Sequence, residues 1–323
     1  MSILPNVARA SQPDAKPGPD VLAPAYWDDP SGLAAAHPNG ALAACRLFCY
    51  GLLTVGLLPV QIVGLLCWPA LANAIPRLHH RLCAWIIGLK IHAEGQPASG
   101  QPVLFISNHI SYFDIIALGS ILRASFIAKS DVAAWPVFGL LARLCRTVFV
   151  ERRVAGARGH IACIRDRLKQ ADSLVVFPEG TSSDGSRVLP FKSTLFAAVE
   201  GEAITVQPIS ISYTRLNGMP IGRALRPLYA WYGDMDLGPH LWAALSYGSA
   251  EVVIRFHPPV IASEFANRKS LSQYCHDQIA NGIDLGLTPS GQRREPLLDL
   301  PMASDSLQRI STRESEENAC DKS

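Results

Sequence analysis

The alternation of apolar and polar positions changes character three times along the chain. Residues 1–40 mix Pro, Ala, Asp and Gly without a sustained period, which predicts a disordered tail. Residues 47–75, LFCYGLLTVGLLPVQIVGLLCWPALANAI, then run without a single charge, beyond the roughly 20 residues that span a bilayer. Pro59 falls near the middle of that run. A proline there kinks or breaks a helix, so the expectation is one kinked span or a re-entrant pair of half-helices. The alternative is a buried helical hairpin in a soluble core. From about residue 86 short β-type runs alternate with helical patterns. Strands are expected at 90–93, 103–106, 125–128, 147–150, 174–177, 205–212 and 251–256, and helices at 113–121, 135–145, 157–170, 191–200 and 270–283. After about residue 285 the chain turns polar and loses its period, which predicts a second disordered tail.

Strands alternating with helices of this length indicate an α/β fold, a largely parallel sheet flanked by helices. An N-terminal apolar membrane helix or helical hairpin precedes it. The expected organisation is a tail over 1–40, a membrane-associated helical segment over 41–85, an α/β domain over 86–284 and a tail over 285–323. The segment 213–248 is less regular and mixes Arg215, Arg223 and Arg226 with Tyr229, Trp231, Tyr232 and Trp242. That mixture suits a membrane interface or an ordinary excursion packed on the sheet.

Composition narrows the partners. Apolar residues make up 49% of the chain and charged residues 17%, below the roughly 25% of soluble domains. The net charge of +2 gives no electrostatic footprint for nucleic acid, and a lipid bilayer is the expected partner. Eight cysteines occur with no C-x-x-C pair, so a reducing compartment is expected and a structural metal site is not. Arg77 and Arg81 follow the apolar run while only Arg46 abuts its start. That bias puts the C-terminal side in the cytoplasm.

Two polar islands interrupt the α/β pattern. The first, FISNHISYFDI over 105–115, packs Asn108, His109, Ser111 and Asp114 between two apolar runs. On one continuous helix His109 and Asp114 would sit about 140° apart around the axis and could not touch. If the helix starts between them, the chain folds back and the carboxylate can accept one ring N–H, leaving the other nitrogen free to take a proton. That is the base-and-orienter half of a catalytic triad. With no nucleophile obvious beside it, the pair suits activation of a substrate hydroxyl. A plain capping cluster, with Asn108 or Ser111 as the cap and Asp114 at the helix N-terminus, is the competing reading.

The second island, VVFPEGTSSDGSR over 175–187, ends an apolar strand in Pro178 and turns through Glu179, Gly180 and Thr181. Such turns at the ends of parallel strands are where open α/β sheets bind ligands. SSDGS is also good hairpin chemistry, so a strand–turn–strand hairpin is the alternative. A third element, TVFVERR over 147–153, delivers Arg152 and Arg153 at a strand end. Arginine there suits phosphate or carboxylate, and a solvated charge pair is the plainer alternative.

Taken together, these blocks resemble the membrane glycerolipid acyltransferases typified by 1-acylglycerol-3-phosphate O-acyltransferase. The family's N-H-x-x-x-x-D block is matched by Asn108, His109 and Asp114, and its F-[IV]-[DE]-R strand by Phe149 to Arg152. Its F-P-E-G-T is matched by Phe177 to Thr181, and its apolar strand with a proline by VQPISI over 206–211. The blocks keep their order over roughly residues 90–260. The resemblance implies acyl transfer from acyl-CoA or acyl-carrier protein to a lysolipid hydroxyl. It also implies a place on a bacterial inner membrane with the catalytic domain on the cytoplasmic face. By the same resemblance His109 is the base and Asp114 its orienter. Asn108, Glu179, Gly180 and Thr181 line the acceptor site, and Arg152 contacts the acceptor's anionic group. The thioester is already activated, so no metal or redox cofactor is expected.

One departure bears on the acceptor. Phosphatidic-acid-forming members follow E-G-T with arginine, and this chain has Ser182. Lys192 or Arg187 could substitute. The string FPEGTSSDGSRVLPFKSTLF also resembles the branch that acylates lyso-ornithine lipid, which has no phosphate. Because Arg152 is retained, 1-acylglycerol-3-phosphate is the first expectation and lyso-ornithine lipid the second. A non-catalytic lipid-binding protein and a serine hydrolase using Ser107 or Ser111 are the readings from other classes. The hydrolase lacks a G-x-S-x-G elbow.

Overall fold

The computed structural model describes residues 38–100, 102–150 and 157–287. The tails expected at the two ends fall almost wholly outside these residues, and so do Glu151, Arg152 and Arg153.

The chain opens with two helices, α1 (Gly40–Cys67) and α2 (Pro69–Ile87). Asn39 caps α1, its side chain accepting from the Leu42 amide at 3.1 Å. Of the two expectations at Pro59, the pair of half-helices does not form: the proline lies inside the single helix α1, where it removes one i→i−4 hydrogen bond and crowds the carbonyl four residues before it. The break falls at Trp68, which leaves the helical region (φ −147°, ψ 87°). A residue before proline is pushed out of the helical region, and Pro69 then starts α2 at a position where it needs no N–H donor. Pro76 inside α2 leaves the Ala72 carbonyl without its helical donor. Gln61 of α1 replaces it, donating from Nε2 to Ala72 O at 3.2 Å. Gly64 lies so close to Ala72 that a Cβ there would come within 2.8 Å of its amide nitrogen. Thr54 meets His79 at 3.0 Å further along. The two helices are therefore an antiparallel hairpin.

The α/β body follows with β1 (Leu89–Glu94), β2 (Val103–Ser107), α3 (Phe113–Ile121), β3 (Ser125–Lys129), α4 (Pro136–Leu144), β4 (Val148–Val150), α5 (Ala157–Lys169) and β5 (Leu174–Val176). Next come β6 (Thr205–Leu216), β7 (Met219–Pro220), α6 (Leu237–Ser246), β8 (Ala250–Phe256), β9 (Val260–Ile261) and α7 (Arg268–Leu287). The sheet order is β1-β8-β6-β2-β5-β3-β4, with β7 and β9 paired to β6. All neighbours on the main path are parallel except β6 and β8. The largely parallel sheet expected from the alternation is thus present, with a mixed edge.

Strand β2 is central and every residue in it is buried. Its side chains alternate, with Val103 and Phe105 joining one core layer and Leu104 and Ile106 the other. The first layer holds α3 and the excursion after β6, including Leu228, Tyr229 and Tyr247. The second holds Ile164 and Leu168 of α5, and Leu271, Cys275 and Ile279 of α7. Residues 213–248 are mainly a packed excursion, although Trp242 is exposed. The helix expected at 191–200 is a 3-10 turn, Ser193–Ala198. Its start is tied by the Lys192 amide to Pro178 O at 2.9 Å, and Gly201 at φ 74° closes it, so no α-helical ladder develops.

The hairpin lies across this body rather than standing off it. Arg77 Nε donates to Ser120 O at 3.4 Å, and His80 stands edge-on to Phe126. Helix α2 buries Ala72, Ile75, Cys83, Ala84 and Ile87, whereas α1 buries only Ala43, Gln61 and Gly64. The outer surface of α1 exposes Phe48, Leu52, Val55, Val63 and Leu66. It is the only helix among the described residues long and apolar enough to cross a membrane.

Candidate active site

The end of β2 carries the chain to the surface of the sheet at His109, and α3 begins at Phe113. The turn between them is built by Asp114. Its Oδ2 accepts from the amides of Ile110 (2.6 Å) and Ser111 (2.9 Å), and from His109 Nδ1 (2.9 Å). The helix thus starts between the histidine and the aspartate, as contact between them requires. Asp114 is fully buried, while 21% of the His109 side chain is exposed. An acceptor at Nδ1 puts the ring proton there and leaves Nε2 with a free lone pair. The ring stacks on Phe177, centroids 4.2 Å apart and planes at 18°, so the second island sets its plane.

That island also clamps the backbone of His109. Glu179 Oε1 accepts the His109 amide at 2.9 Å, and Oε2 accepts the Leu189 amide at 3.1 Å. On the other side the Ser183 amide donates to His109 O at 2.9 Å, with the Ser183 hydroxyl at 3.3 Å. Glu179 is 3% exposed. Burial pushes its carboxyl up to about 8, against the opposing pull of its two amide donors. Gly180 turns at φ 70°, where a side chain is strained, and a Cβ there would strike the Lys192 ammonium.

A buried carboxylate that orients a histidine whose outer nitrogen has no partner among the described residues is an arrangement able to act as a general-base dyad. It sits at the C-terminal ends of parallel strands, where open α/β sheets place ligands. The Acyltransferase family pattern matches residues 88–212, which bracket the dyad and its clamp. The chain is 42% identical over 235 residues to the lyso-ornithine lipid O-acyltransferase of Brucella abortus, covering 70% of this chain and 88% of that one. The chain belongs to the acyltransferase family. It is also 31% identical over 204 residues to the 1-acyl-sn-glycerol-3-phosphate acyltransferase of Neisseria gonorrhoeae, covering 61% of this chain and 75% of that one. The crystal structure of the 1-acyl-sn-glycerophosphate acyltransferase PlsC from Thermotoga maritima shares the fold. Its TM-score is 0.57 at 20% identity, over 78% of this chain and 98% of that one.

Within this acyltransferase the other expected site residues divide. Asn108 is 1% exposed and bridges β2 to β6, its Nδ2 donating to Ile211 O at 3.0 Å and its Oδ1 accepting from Ile211 N at 2.9 Å. It closes the sheet beneath the histidine, its side-chain amide paired with the Ile211 backbone. Glu179 is likewise spent on two backbone amides. Thr181 is exposed at the turn, and Lys192 is brought over Gly180. Arg152 lies outside the described residues. Ser107 and Ser111 are fully buried, and the Ser107 hydroxyl donates to Asn108 O at 3.0 Å, so neither serves as an exposed nucleophile. Ser182 donates to the carbonyl of Trp231, and the Trp231 amide donates to Ile110 O at 3.0 Å. The second island, the excursion after β6 and the histidine loop are thereby stitched together. Two contributors carried no sequence signal: Ser183, in a run that reads as turn chemistry, and Tyr213 of β6, whose hydroxyl donates to Asp114.

Proposed function

We propose that this acyltransferase esterifies the free hydroxyl of a lysolipid with an acyl group drawn from a thioester, acyl-CoA or acyl-carrier protein. The observation that carries the reading is the free Nε2 of His109 above a locked Nδ1. The acceptor hydroxyl gives its proton to Nε2 as its oxygen attacks the thioester carbonyl. The tetrahedral intermediate collapses, the C–S bond breaks, and the imidazolium returns the proton to the leaving thiolate. Among the described residues the amides of Thr181 and Ser182 have no protein acceptor, and they are the donors best suited to the oxyanion. No step in this scheme calls for a metal or redox cofactor.

For the acceptor we favour lyso-ornithine lipid over the 1-acylglycerol-3-phosphate that the sequence motifs alone put first. Ser182 supports this. It stands where phosphatidic-acid-forming relatives carry arginine, and its hydroxyl is committed to Trp231. The rim beside it has mixed charge. Burial opposes ionisation of Asp184, but the Ser186 hydroxyl and amide, with Arg226 and Arg187 nearby, hold its carboxyl below the ordinary value. Such a rim matches an ornithine head group, which carries both a carboxylate and an ammonium. The exposed apolar face of α1 would lie in the membrane leaflet from which the lysolipid acceptor comes.

The test is turnover by the purified full chain in mixed micelles. Lyso-ornithine lipid and 1-acylglycerol-3-phosphate are supplied separately, each with acyl-CoA or acyl-carrier protein. The expected result is a kcat/KM at least about tenfold higher for lyso-ornithine lipid, the worth of one well-placed polar contact. Preference for the phosphate acceptor overturns the choice of head group. Transfer to neither overturns the function.

A further inference from the structure

Asp114 Oδ2 is accounted for by the histidine and two amides. The other oxygen has a partner of its own: the Tyr213 hydroxyl donates to Asp114 Oδ1 at 2.9 Å, and both groups are buried. We infer that Tyr213 is a positioning residue for the dyad, fixing the Asp114 carboxylate and limiting the negative charge that His109 feels.

Four features of the fold support this. First, Ile209, Ile211 and Tyr213 alternate onto one face of β6 and enter the same core layer. Second, the β6–β8 register shifts between Tyr213 and Arg215, and Leu216 rejoins that face at an odd spacing. A bulge next to a site re-aims a side chain, and this one directly follows the tyrosine that reaches the dyad. Third, the Tyr213 ring stacks on Tyr229, centroids 5.7 Å apart and planes at 6°, so the phenol has little freedom to leave Oδ1. Fourth, no arginine or lysine forms an ion pair with Asp114 among the described residues; its ion-pair partner is His109. Hydrogen bonds are then the main control on its charge.

The consequence has a definite sign. A carboxylate stripped of one donor holds more negative charge and stabilises the imidazolium opposite it. The base is then free only at higher pH. The ionisable groups around the pair are Glu179 facing Asp114, with Tyr112 and Tyr229 facing Tyr213. None of these is altered by the substitution proposed here.

The inference rests on His109 being the base, so His109→Ala is run beside Tyr213→Phe with whichever lysolipid the wild type turns over. Tyr213→Phe keeps the ring and the stack while removing the hydroxyl. Its expected effects are a fall of about tenfold in kcat at neutral pH with KM nearly unchanged, and an acidic limb of the kcat/KM profile displaced upward by about one pH unit. Replacing Tyr213 with 3-fluorotyrosine makes a stronger donor and should move that limb in the opposite direction. A role confined to packing predicts no displacement by either variant. If His109→Ala is inactive and both Tyr213 variants keep the wild-type profile, the inference fails alone. If His109→Ala retains full turnover, the base assignment fails and the inference with it. If Tyr213→Phe does not fold, the fluorinated protein decides, since it keeps the hydroxyl and the ring.

Discussion

His109 and His257 both sit against this sheet with a hydrogen-bonding partner, and their rings are left in different surroundings. His109 has Nδ1 tied to Asp114 and its outer edge partly open. His257 has Nε2 at 2.6 Å from the Ser210 hydroxyl, which also donates to Ile279 O of α7 at 3.0 Å. Gly282 of α7 closes over that second pair so tightly that a Cβ there would come within 2.7 Å of His257 Nε2. A serine and histidine in contact thus form a strut that fastens α7 to β6. Partner chemistry alone does not make a site. The difference lies in which ring nitrogen is left over and whether anything can reach it.

The largest expected effect separates the two directly. His109→Ala should lower kcat/KM by about 10²-fold or more, the range for losing a positioned base, with a thermal midpoint close to wild type. Ser210→Ala should do the reverse. It leaves the buried His257 ring unpaired and costs on the order of 1–3 kcal/mol of stability, while turnover by the folded fraction stays within about twofold, because the lost hydroxyl faces α7 and not His109 or Asp114. A Ser210→Ala protein that is stable and inactive would break the distinction.

The pH dependence of stability sharpens the same contrast. Burial lowers His257 to about 4, with Arg255 adding to the effect. Its folded value lies below its unfolded one, so stability is present above about 6.5 and is lost as pH falls toward 4, by roughly 3 kcal/mol. Glu179 slopes the other way. Its folded value of about 8 exceeds the ordinary 4.5, so the fold loses stability as pH rises through that interval. Between about 4.5 and 6.5 the two trends oppose. Denaturant midpoints of His257→Gln against pH should lose the acidic fall, and those of Glu179→Gln should lose the alkaline one. Unchanged curves would mean that neither group is buried as described.

Much of this site was legible because its determinants are local. A strand of five buried residues, a polar turn and an apolar helix are encoded within 103–121, and the helix expected at 113–121 is the one found. The 109/114 spacing required a helix start between the two residues, and Asp114 builds that start with its own side chain. Pro59 left one span or two open because a proline inside a long apolar helix can be absorbed by the rest of the ladder, whereas the Trp68–Pro69 step stops the helix outright. The structural part of Asn108 was not legible. Its place in the motif suggests a ligand contact, but its partner is Ile211, 103 residues away. Tyr213 was hidden for the same reason: its partner is 99 residues away, and a tyrosine within a β-strand reads as core.

The smallest expected effect bears on why one polar island works and the other supports it. Ser182 spends its hydroxyl on the Trp231 carbonyl. Trp231 in turn stands edge-on to Tyr112, whose hydroxyl meets His240 Nδ1 at 2.8 Å. Ser182→Ala would unfasten this chain at its first link without touching His109, Asp114 or the Glu179 clamp. A neutral hydrogen bond of this kind contributes about 0.5–1.5 kcal/mol, so the expected result is a two- to tenfold rise in KM for the lysolipid with kcat nearly constant. That split would make the excursion a wall of the acceptor site. A fall in kcat with KM unchanged would instead make Ser182 part of the proton-transfer geometry, and the division between a working first island and a supporting second one would have to be redrawn.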